Sequence, residues 1–303
     1  MRVLVTGAGG FIGFHLCQFL KKQGIKVLGT VLHQEEKSDG VKRVELNLLE
    51  KEKVEDLISD FKPDFIFHLA GQTLVMPSWE NPEQTLKTNI FTTLYILEAV
   101  MKIRLNSRVI IFSSASIYNS SIKKIKENSK LFPNSPYALS KIFVDYLSML
   151  YSLKKGVNII RIRPFFIIGP GKTSDVVSDF SKRIVQIEKG DEKSLKVGNL
   201  EAVRDFVNIE DAIKGIWLIG KRGKLGEVYN LCSGIGYKVT EILKILVSLS
   251  TKKIKVVEDK NLFRPVDEPF KVGDNSKLKK LGWKPVIPLE KTLKETLEYW
   301  RKL

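Results

Sequence analysis

The sequence predicts an α/β protein: a doubly wound parallel sheet with a smaller C-terminal α/β lobe. Three observations carry that expectation. Through the first 163 residues, short apolar runs rich in Val, Ile and Phe alternate with helix-period segments, the order that produces crossover units and parallel strands. The first run, Arg2-Val3-Leu4-Val5, passes at once into Thr6-Gly7-Ala8-Gly9-Gly10-Phe11-Ile12-Gly13, a glycine turn that opens a helix. No internal repeat, low-complexity tract or long linker breaks the 303-residue chain, so the second lobe is expected to be assembled from discontinuous segments.

Composition bounds the function. A hydrophobic fraction of 43% fills an ordinary globular core. Cys17 and Cys232 show neither disulfide density nor metal spacing; they read as small buried hydrophobes in a reducing cytoplasm, and no metal site is expected. No signal peptide opens the sequence and no apolar run is long enough to cross a bilayer. The net charge of +16 raises nucleic acid as a partner. However, the basic residues are scattered and not interleaved with aromatics. They read as a solvated surface, part of which attracts a phosphorylated metabolite.

Taken in order, the elements place the chemistry. Gly7, Gly10 and Gly13 are spaced G-x-x-G-x-x-G between a strand and a helix that ends at Gly24. The first permits a tight turn, the second lets a pyrophosphate approach the backbone, and the third lets helix pack on strand; the phosphate meets the positive helix end. In this strand-to-helix setting the three glycines point to a Rossmann-type dinucleotide site built on Gly7, Gly10 and Gly13. The second strand, 25–31, ends in Gly29-Thr30-Val31-Leu32-His33, with Glu35 and Glu36 slightly late. No acid stands where an NAD-selective site places one, and no clear arginine marks a 2′-phosphate, so the expectation leans to NADP(H) with dual use of NAD(H). A third strand, 41–46, leads to Asn47 and Leu48, which are placed at the adenine. After a helix over 51–60 comes the buried strand 63–71, which ends in Leu69-Ala70-Gly71, small enough for a cofactor to pass over the sheet edge. Its His68 reads as a satisfied core histidine. A long helix over 81–104 precedes the strand 108–112, which ends at Ser113-Ser114-Ala115-Ser116, where hydroxyls meet ligands at a carboxyl edge.

Next comes Asn134-Ser135-Pro136-Tyr137-Ala138-Leu139-Ser140-Lys141. Ser135 is a plausible N-cap and Pro136 suits the first helical position. Tyr137 and Lys141 then share one helix face. An ammonium beside a phenol is expected to lower the tyrosine pKa from about 10, making Tyr137 a proton donor and acceptor. Taken alone the pair reads as a core tyrosine and a solvated lysine; the company it keeps reverses that. The strand 157–163 completes the alternation. Beyond it, 174–189 reads as an amphipathic helix, 197–199 as a short strand, 208–220 as a helix and 227–231 as a strand returning to the main sheet. Segments 240–250, 254–257, 276–281 and 289–301 build the rest. Domain expectations are 1–163 plus about 206–231 for the dinucleotide-binding part, and about 164–205 plus 232–303 for the substrate lobe.

Together, Thr6-Gly7-x-x-Gly10-x-x-Gly13, His68-Leu69-Ala70-Gly71, Ser113-Ser114, Tyr137-x-x-x-Lys141 and Arg163-Pro164-Phe165 resemble an extended short-chain dehydrogenase/reductase over essentially the whole length. Other motifs narrow the resemblance to the nucleotide-sugar branch, namely the GDP-mannose 4,6-dehydratase group and its partner reductases. They are GQTLVMPSWENP ending at Pro82, Gly169-Pro170-Gly171, the run from Val197 to Phe206, Tyr229 to Gly234, Arg264-Pro265 and Gly282-Trp283-Lys284-Pro285. The resemblance implies NAD(P)H-dependent reduction of the 4-keto group of GDP-4-keto-6-deoxy-D-mannose to GDP-D-rhamnose. It implies that Tyr137 protonates O4, that Lys141 holds the nicotinamide ribose, that Ser114 bonds the keto oxygen and that Phe11 and Ile12 join Gly7 and Gly10 in cradling the cofactor pyrophosphate. Ser116, Asn199, Leu200, Arg204, Arg264 and Asp267 would contact the GDP-sugar, the arginines its phosphates. Without the resemblance, Arg204 and Asp205 read equally as a pair that ties a loop. A homodimer is implied through a four-helix interface of segments 81–104 and 136–155, lined by Phe91, Leu94, Tyr95, Leu147 and Leu150, residues that burial against their own sheet would explain equally well.

Three positions depart from the group. Ser116 stands where the dehydratases carry a glutamate that removes the C5 proton, and a serine of ordinary pKa cannot do that work. Phe166 replaces an asparagine sugar contact, and Asn119 a glycine. The alternatives are therefore a dehydratase of GDP-mannose, a UDP-sugar epimerase and, on charge alone, a non-catalytic dinucleotide-binding regulator or RNA-binding protein.

Overall fold

The structure, a computed structural model, describes residues 1–33, 39–263 and 268–303. Strand β1 (Arg2–Thr6) is buried from Val3 onward and turns through Gly7, whose φ of +68° is the left-handed region that glycine enters without strain. Helix α1 (Phe11–Lys22) follows. A Cβ on its Gly13 would lie 2.2 Å from the Gly7 carbonyl oxygen, so only glycine lets the helix sit this close to the turn. Then come β2 (Lys26–Val31), β3 (Lys42–Glu45), α2 (Lys51–Phe61), β4 (Phe65–His68), α3 (Val75–Glu80), α4 (Pro82–Lys102), β5 (Arg108–Phe112), α5 (Pro136–Lys155) and β6 (Ile159–Pro164). Helix α5 starts as its sequence predicts: the Ala138 amide donates to Ser135 Oγ at 3.2 Å and Pro136 takes the first turn.

The chain continues through β7 (Phe166–Ile168), α6 (Val176–Lys189), β8 (Leu195–Val197), β9 (Val203–Arg204), β10 (Phe206–Asn208), α7 (Ile209–Arg222), β11 (Val228–Leu231), β12 (Tyr237–Lys238), α8 (Val239–Ser248), β13 (Val256–Glu258), β14 (Phe270–Lys271), α9 (Ser276–Lys279) and α10 (Leu289–Arg301). Among the described residues the main sheet runs β3-β2-β1-β4-β5-β6-β11, with every pairing parallel. The order reverses between β1 and β4, and ligands of open α/β sheets bind at the carboxyl ends beside such a point. One face buries Leu16, Cys17 and Leu20 of α1 with Ile213, Ile216 and Ile219 of α7. The other buries Val54 and Ile58 of α2, Ile96 and Val100 of α4, and Val144 of α5. A separate core joins α6, α8 and α10 through Phe180, Ile184, Leu243, Leu246, Leu293 and Leu297. No helix of the described residues is long and apolar enough to cross a membrane.

Several expectations are corrected. The helix expected to reach residue 104 ends at Lys102, and Arg104 adopts a φ of +54°. A separate helix, α3, occupies a stretch in which no helix was expected. The short strand expected at 197–199 lies instead at Leu195–Val197. A Cβ on Gly198, the next residue, would come within 2.5 Å of the Leu262 carbonyl oxygen, so only glycine allows this close approach. Of the five apolar residues expected at a subunit interface, Phe91 and Leu150 are exposed, whereas Tyr95 and Leu147 pack on the core between α4 and the sheet.

Candidate active site

A cleft of about 1550 Å³ runs along the carboxyl edge of the main sheet and into the second lobe. Single small-molecule pockets span roughly 300–1,000 Å³, so this one has room for two ligands. Its walls bring together Gly7, Gly10, Phe11, Ile12, Gly13, Thr30, Asn47, Leu48, Leu69, Ala70 and Gly71 on one side. Ser114, Ser116, Tyr137 and Lys141 stand in the middle, with Asn199, Leu200 and Arg204 on the far side. Arg264 and Asp267, the remaining expected substrate contacts, lie outside the described residues, as do Glu35 and Glu36.

At the α1 end, Gly10 is the N-cap, no side chain caps the helix and its first turn holds no acid. Among the described residues no side chain caps this helix start, so its first-turn amides and positive end, which face the cleft, fit a dinucleotide pyrophosphate. Gly71 has a φ of +153°, and a Cβ there would strike Asn89 Oδ1 at 2.6 Å. Asn89 accepts from the Gln72 amide at 2.8 Å and donates to Ser140 Oγ at 2.8 Å, tying this floor to α5. His68 is the satisfied core histidine that was expected. Its ring shares hydrogen bonds with Thr6 and Thr93 hydroxyls at 2.8 and 3.1 Å, and burial pushes its pKa down to about 3.

The catalytic candidates meet as their spacing predicts, but with different electrostatics. Tyr137 is buried, and burial pushes its phenol pKa up rather than down, partly opposed by a hydrogen bond with the Ser114 hydroxyl. The expected lowering by Lys141 does not appear: burial sets the direction, and the lysine is engaged elsewhere. Lys141 Nζ donates to the Phe112 carbonyl at 3.0 Å, and burial brings its pKa down to about 8. The backbone is fixed on both sides of the pair. Ser113 Oγ donates to the Lys141 carbonyl at 3.1 Å, and the Tyr137 amide donates to Ser78 Oγ at 3.1 Å. Ser114 Oγ donates to Ser116 Oγ and accepts from the Ser116 amide, both at 3.1 Å. The turn that follows β5 therefore carries hydroxyls and no carboxylate from Ser113 to Ser116.

On the far side, Arg204 lies with its guanidinium 5.6 Å above the Phe166 ring, so the phenylalanine that replaces the expected asparagine supports the arginine by a cation–π contact. Asp205 does not act as its loop-tying partner. Its buried carboxylate accepts from the Ser233 amide and hydroxyl at 2.7 and 2.6 Å, the Gly234 amide at 2.9 Å and the Gly273 amide at 3.2 Å. Sequence reasoning missed Ser78, Asn89, Glu268 and Lys271. Nothing local marks any of the four as a neighbour of Ser114 or Tyr137.

Comparison with known proteins agrees with this geometry. The GDP-mannose 4,6 dehydratase family matches residues 4–296 of the chain. The GDP-6-deoxy-D-mannose reductase of Pseudomonas aeruginosa is 30% identical over 99% of this chain and 97% of its own length. The GDP-6-deoxy-D-talose 4-dehydrogenase of Aggregatibacter actinomycetemcomitans is 29% identical over 92% and 90%. The solved structure of RMD from P. aeruginosa, complexed with NADPH, superimposes with a TM-score of 0.88 at 29% identity and covers 99% of both chains.

Proposed function

The chain belongs to the GDP-mannose 4,6-dehydratase family, and on that premise we propose that it is an NAD(P)H-dependent reductase of a GDP-4-keto-6-deoxyhexose, converting GDP-4-keto-6-deoxy-D-mannose to GDP-D-rhamnose (GDP-6-deoxy-D-mannose) in the cytoplasm. One observation carries the choice within the family. The turn bearing Ser114 offers Ser116 Oγ, bonded to Ser114 at 3.1 Å, where dehydration would need a carboxylate base. The named activities of the P. aeruginosa and A. actinomycetemcomitans relatives, and the NADPH in the solved neighbour, support the same reading.

Bound NAD(P)H supplies the hydride. The helix-start amides of Phe11, Ile12 and Gly13 and the glycine cradle would hold its pyrophosphate, and Ala70 and Gly71 leave room above the sheet edge. Tyr137 gives its proton to the sugar O4 as negative charge develops there. Its raised pKa keeps that proton in place at neutral pH, the form that reduction needs. Ser114 would turn its one hydroxyl proton, which it gives to Ser116 in this structure, towards the same oxygen. Lys141 stays cationic below about pH 8 and stabilises the charge left on the phenol oxygen after transfer. Arg204, which lines the cleft, would bind the diphosphate because its planar fork can take two oxygens at once, and Asn199 and Leu200 would contact the guanine.

The test is NADPH absorbance with purified protein and GDP-4-keto-6-deoxymannose. Oxidation matched mole for mole by a GDP-6-deoxyhexose establishes the reductase, and NMR of the product gives the configuration at C4, which separates the rhamnose from the talose series. Conversion of GDP-mannose to the keto sugar without added reductant would overturn it in favour of a dehydratase.

A further inference from the structure

Lys271 is 1% exposed, and a lysine is almost never fully buried unless paired. Its three N–H donors meet three acceptors: Glu268 at 2.7 Å, the Tyr118 carbonyl at 3.1 Å and the Ala115 carbonyl at 3.3 Å. Both carbonyls belong to the turn that carries Ser114 and Ser116, which forms a 3-10 helix over Ala115–Ile117. The Glu268 carboxylate also accepts from Asn134 Nδ2 at 3.3 Å, just before the N-cap of the helix that bears Tyr137. Arg204 Nη1 donates to the Glu268 carbonyl at 2.6 Å, and in the β14–β9 pairing Lys271 stands directly beside Arg204. Glu268, Lys271 and Arg204 all line the cleft.

We propose that Glu268 and Lys271 form a positioning pair, which holds the Ser114 turn and the start of the Tyr137 helix in register with Arg204 and so couples nucleotide binding to the catalytic geometry. Stability alone does not explain the pair. Removing two charges from water costs several kcal/mol per ion, and well-packed apolar residues often do as well or better. What a buried, fully bonded ammonium adds is a fixed position for the two carbonyls it binds. A shift of about 1 Å in a catalytic group is enough to cost about 100-fold in rate. Neither residue touches the reacting atoms; both act through Ser114, Tyr137 and Arg204.

This inference rests on the GDP-sugar reading, and the experiment separates the two. Backbone hydrogen exchange of the segment 113–118 is measured on the NADPH-loaded protein with and without GDP, in wild type, Lys271→Met, Lys271→Arg and Glu268→Gln. GDP is expected to slow exchange in wild type. In Lys271→Met, GDP still binds by calorimetry but the slowing is lost, and kcat falls about 100-fold while KM changes less than about three-fold. Lys271→Arg, which keeps charge and donors, regains part of both. Should Lys271→Met not fold, Glu268→Gln gives the same comparison, because it leaves the lysine in place but removes its counter-charge. Equal slowing in wild type and the variants, or no slowing by GDP in wild type, would overturn the positioning role. Slowing in wild type without any NAD(P)H consumption would instead overturn the reductase reading and leave the coupling standing.

Discussion

In the proposed mechanism turnover depends on Tyr137 and Lys141, and each predicts a measurement. Tyr137→Phe removes the proton and leaves the buried ring, so kcat should fall by about 10²–10⁴-fold, the usual worth of a positioned acid. NADPH binding followed by fluorescence should change little, and full turnover in this variant would exclude the proton-donor role. The pH dependence follows from Lys141. Reduction needs Tyr137 protonated and Lys141 charged. The phenol pKa is raised, so it keeps its proton well into the alkaline range, whereas the lysine loses its charge above about 8. The profile of kcat/KM for the keto sugar should be flat at neutral pH and fall above about pH 8, and Lys141→Met should lower the plateau and abolish that inflection. The spacing of the pair was legible in the sequence, but the direction of the tyrosine shift was not. An ammonium one turn away is visible in the primary structure; the desolvation that sets the direction depends on how deeply α5 is packed. Lys271 was illegible for a related reason: its contact with Ala115 joins residues 156 positions apart.

At the scale of elements, what could be read was whatever depends on neighbours in sequence. The turn from β1 into α1 needs Gly7 and Gly13 where they stand, and α5 begins at Ser135-Pro136 because both residues favour a helix start. Boundaries set by distant contacts were missed, as at β8, whose extent matches its pairing with Val256–Glu258 much later in the chain. The tie between α5 and β6 is of that second kind. Asp145, 1% exposed, accepts from Arg161 at 2.8 Å and from Arg163 at 2.8 and 2.9 Å. Arg163 also donates to the Tyr118 hydroxyl at 2.8 Å, which in turn donates to Asn230 at 2.7 Å on β11. One carboxylate thus anchors the catalytic helix to two strands. Asp145→Ala should cost about 3–5 kcal/mol in denaturant unfolding, because it leaves two buried cations without their partner. The two arginines hold the Asp145 pKa below its ordinary 3.8 despite burial. A depressed carboxyl pKa gives stability that is present above the unfolded value and lost as pH falls through the folded one. Wild type should therefore lose this contribution below about pH 4, and a variant already lacking Asp145 should show a shallower acid limb; an unchanged limb would show that the carboxylate carries no charge-linked stability.

For the whole molecule, the topology that places the cleft was readable because strand–helix alternation dictates a parallel sheet, and the reversal between β1 and β4 then fixes where ligands go. The net charge of +16 does not concentrate into a nucleic-acid groove by sequence pattern, but it does bear on assembly. Helix α5 presents Leu139, Phe143, Tyr146, Leu150 and Leu153 outward, all about half exposed or more, beside Phe91 of α4. An apolar face of this kind is more than scattered surface leucines. Two copies meeting through α4 and α5 would cover it with a four-helix contact. Because both protomers are strongly cationic, their association should tighten as salt screens the repulsion, the reverse of an interface held by ion pairs. Sedimentation of wild type should give a dimer whose dissociation constant falls between low and moderate ionic strength. Phe143→Glu combined with Leu150→Glu should give a folded monomer, since both side chains already stand half in water and their substitution removes little buried area from the protomer; its Tm should drop only by the contribution of the dimer contact and no longer depend on protein concentration. A monomeric wild type would leave the α5 face without this role, and a dimer that weakens with salt would move the subunit contact to a charged surface.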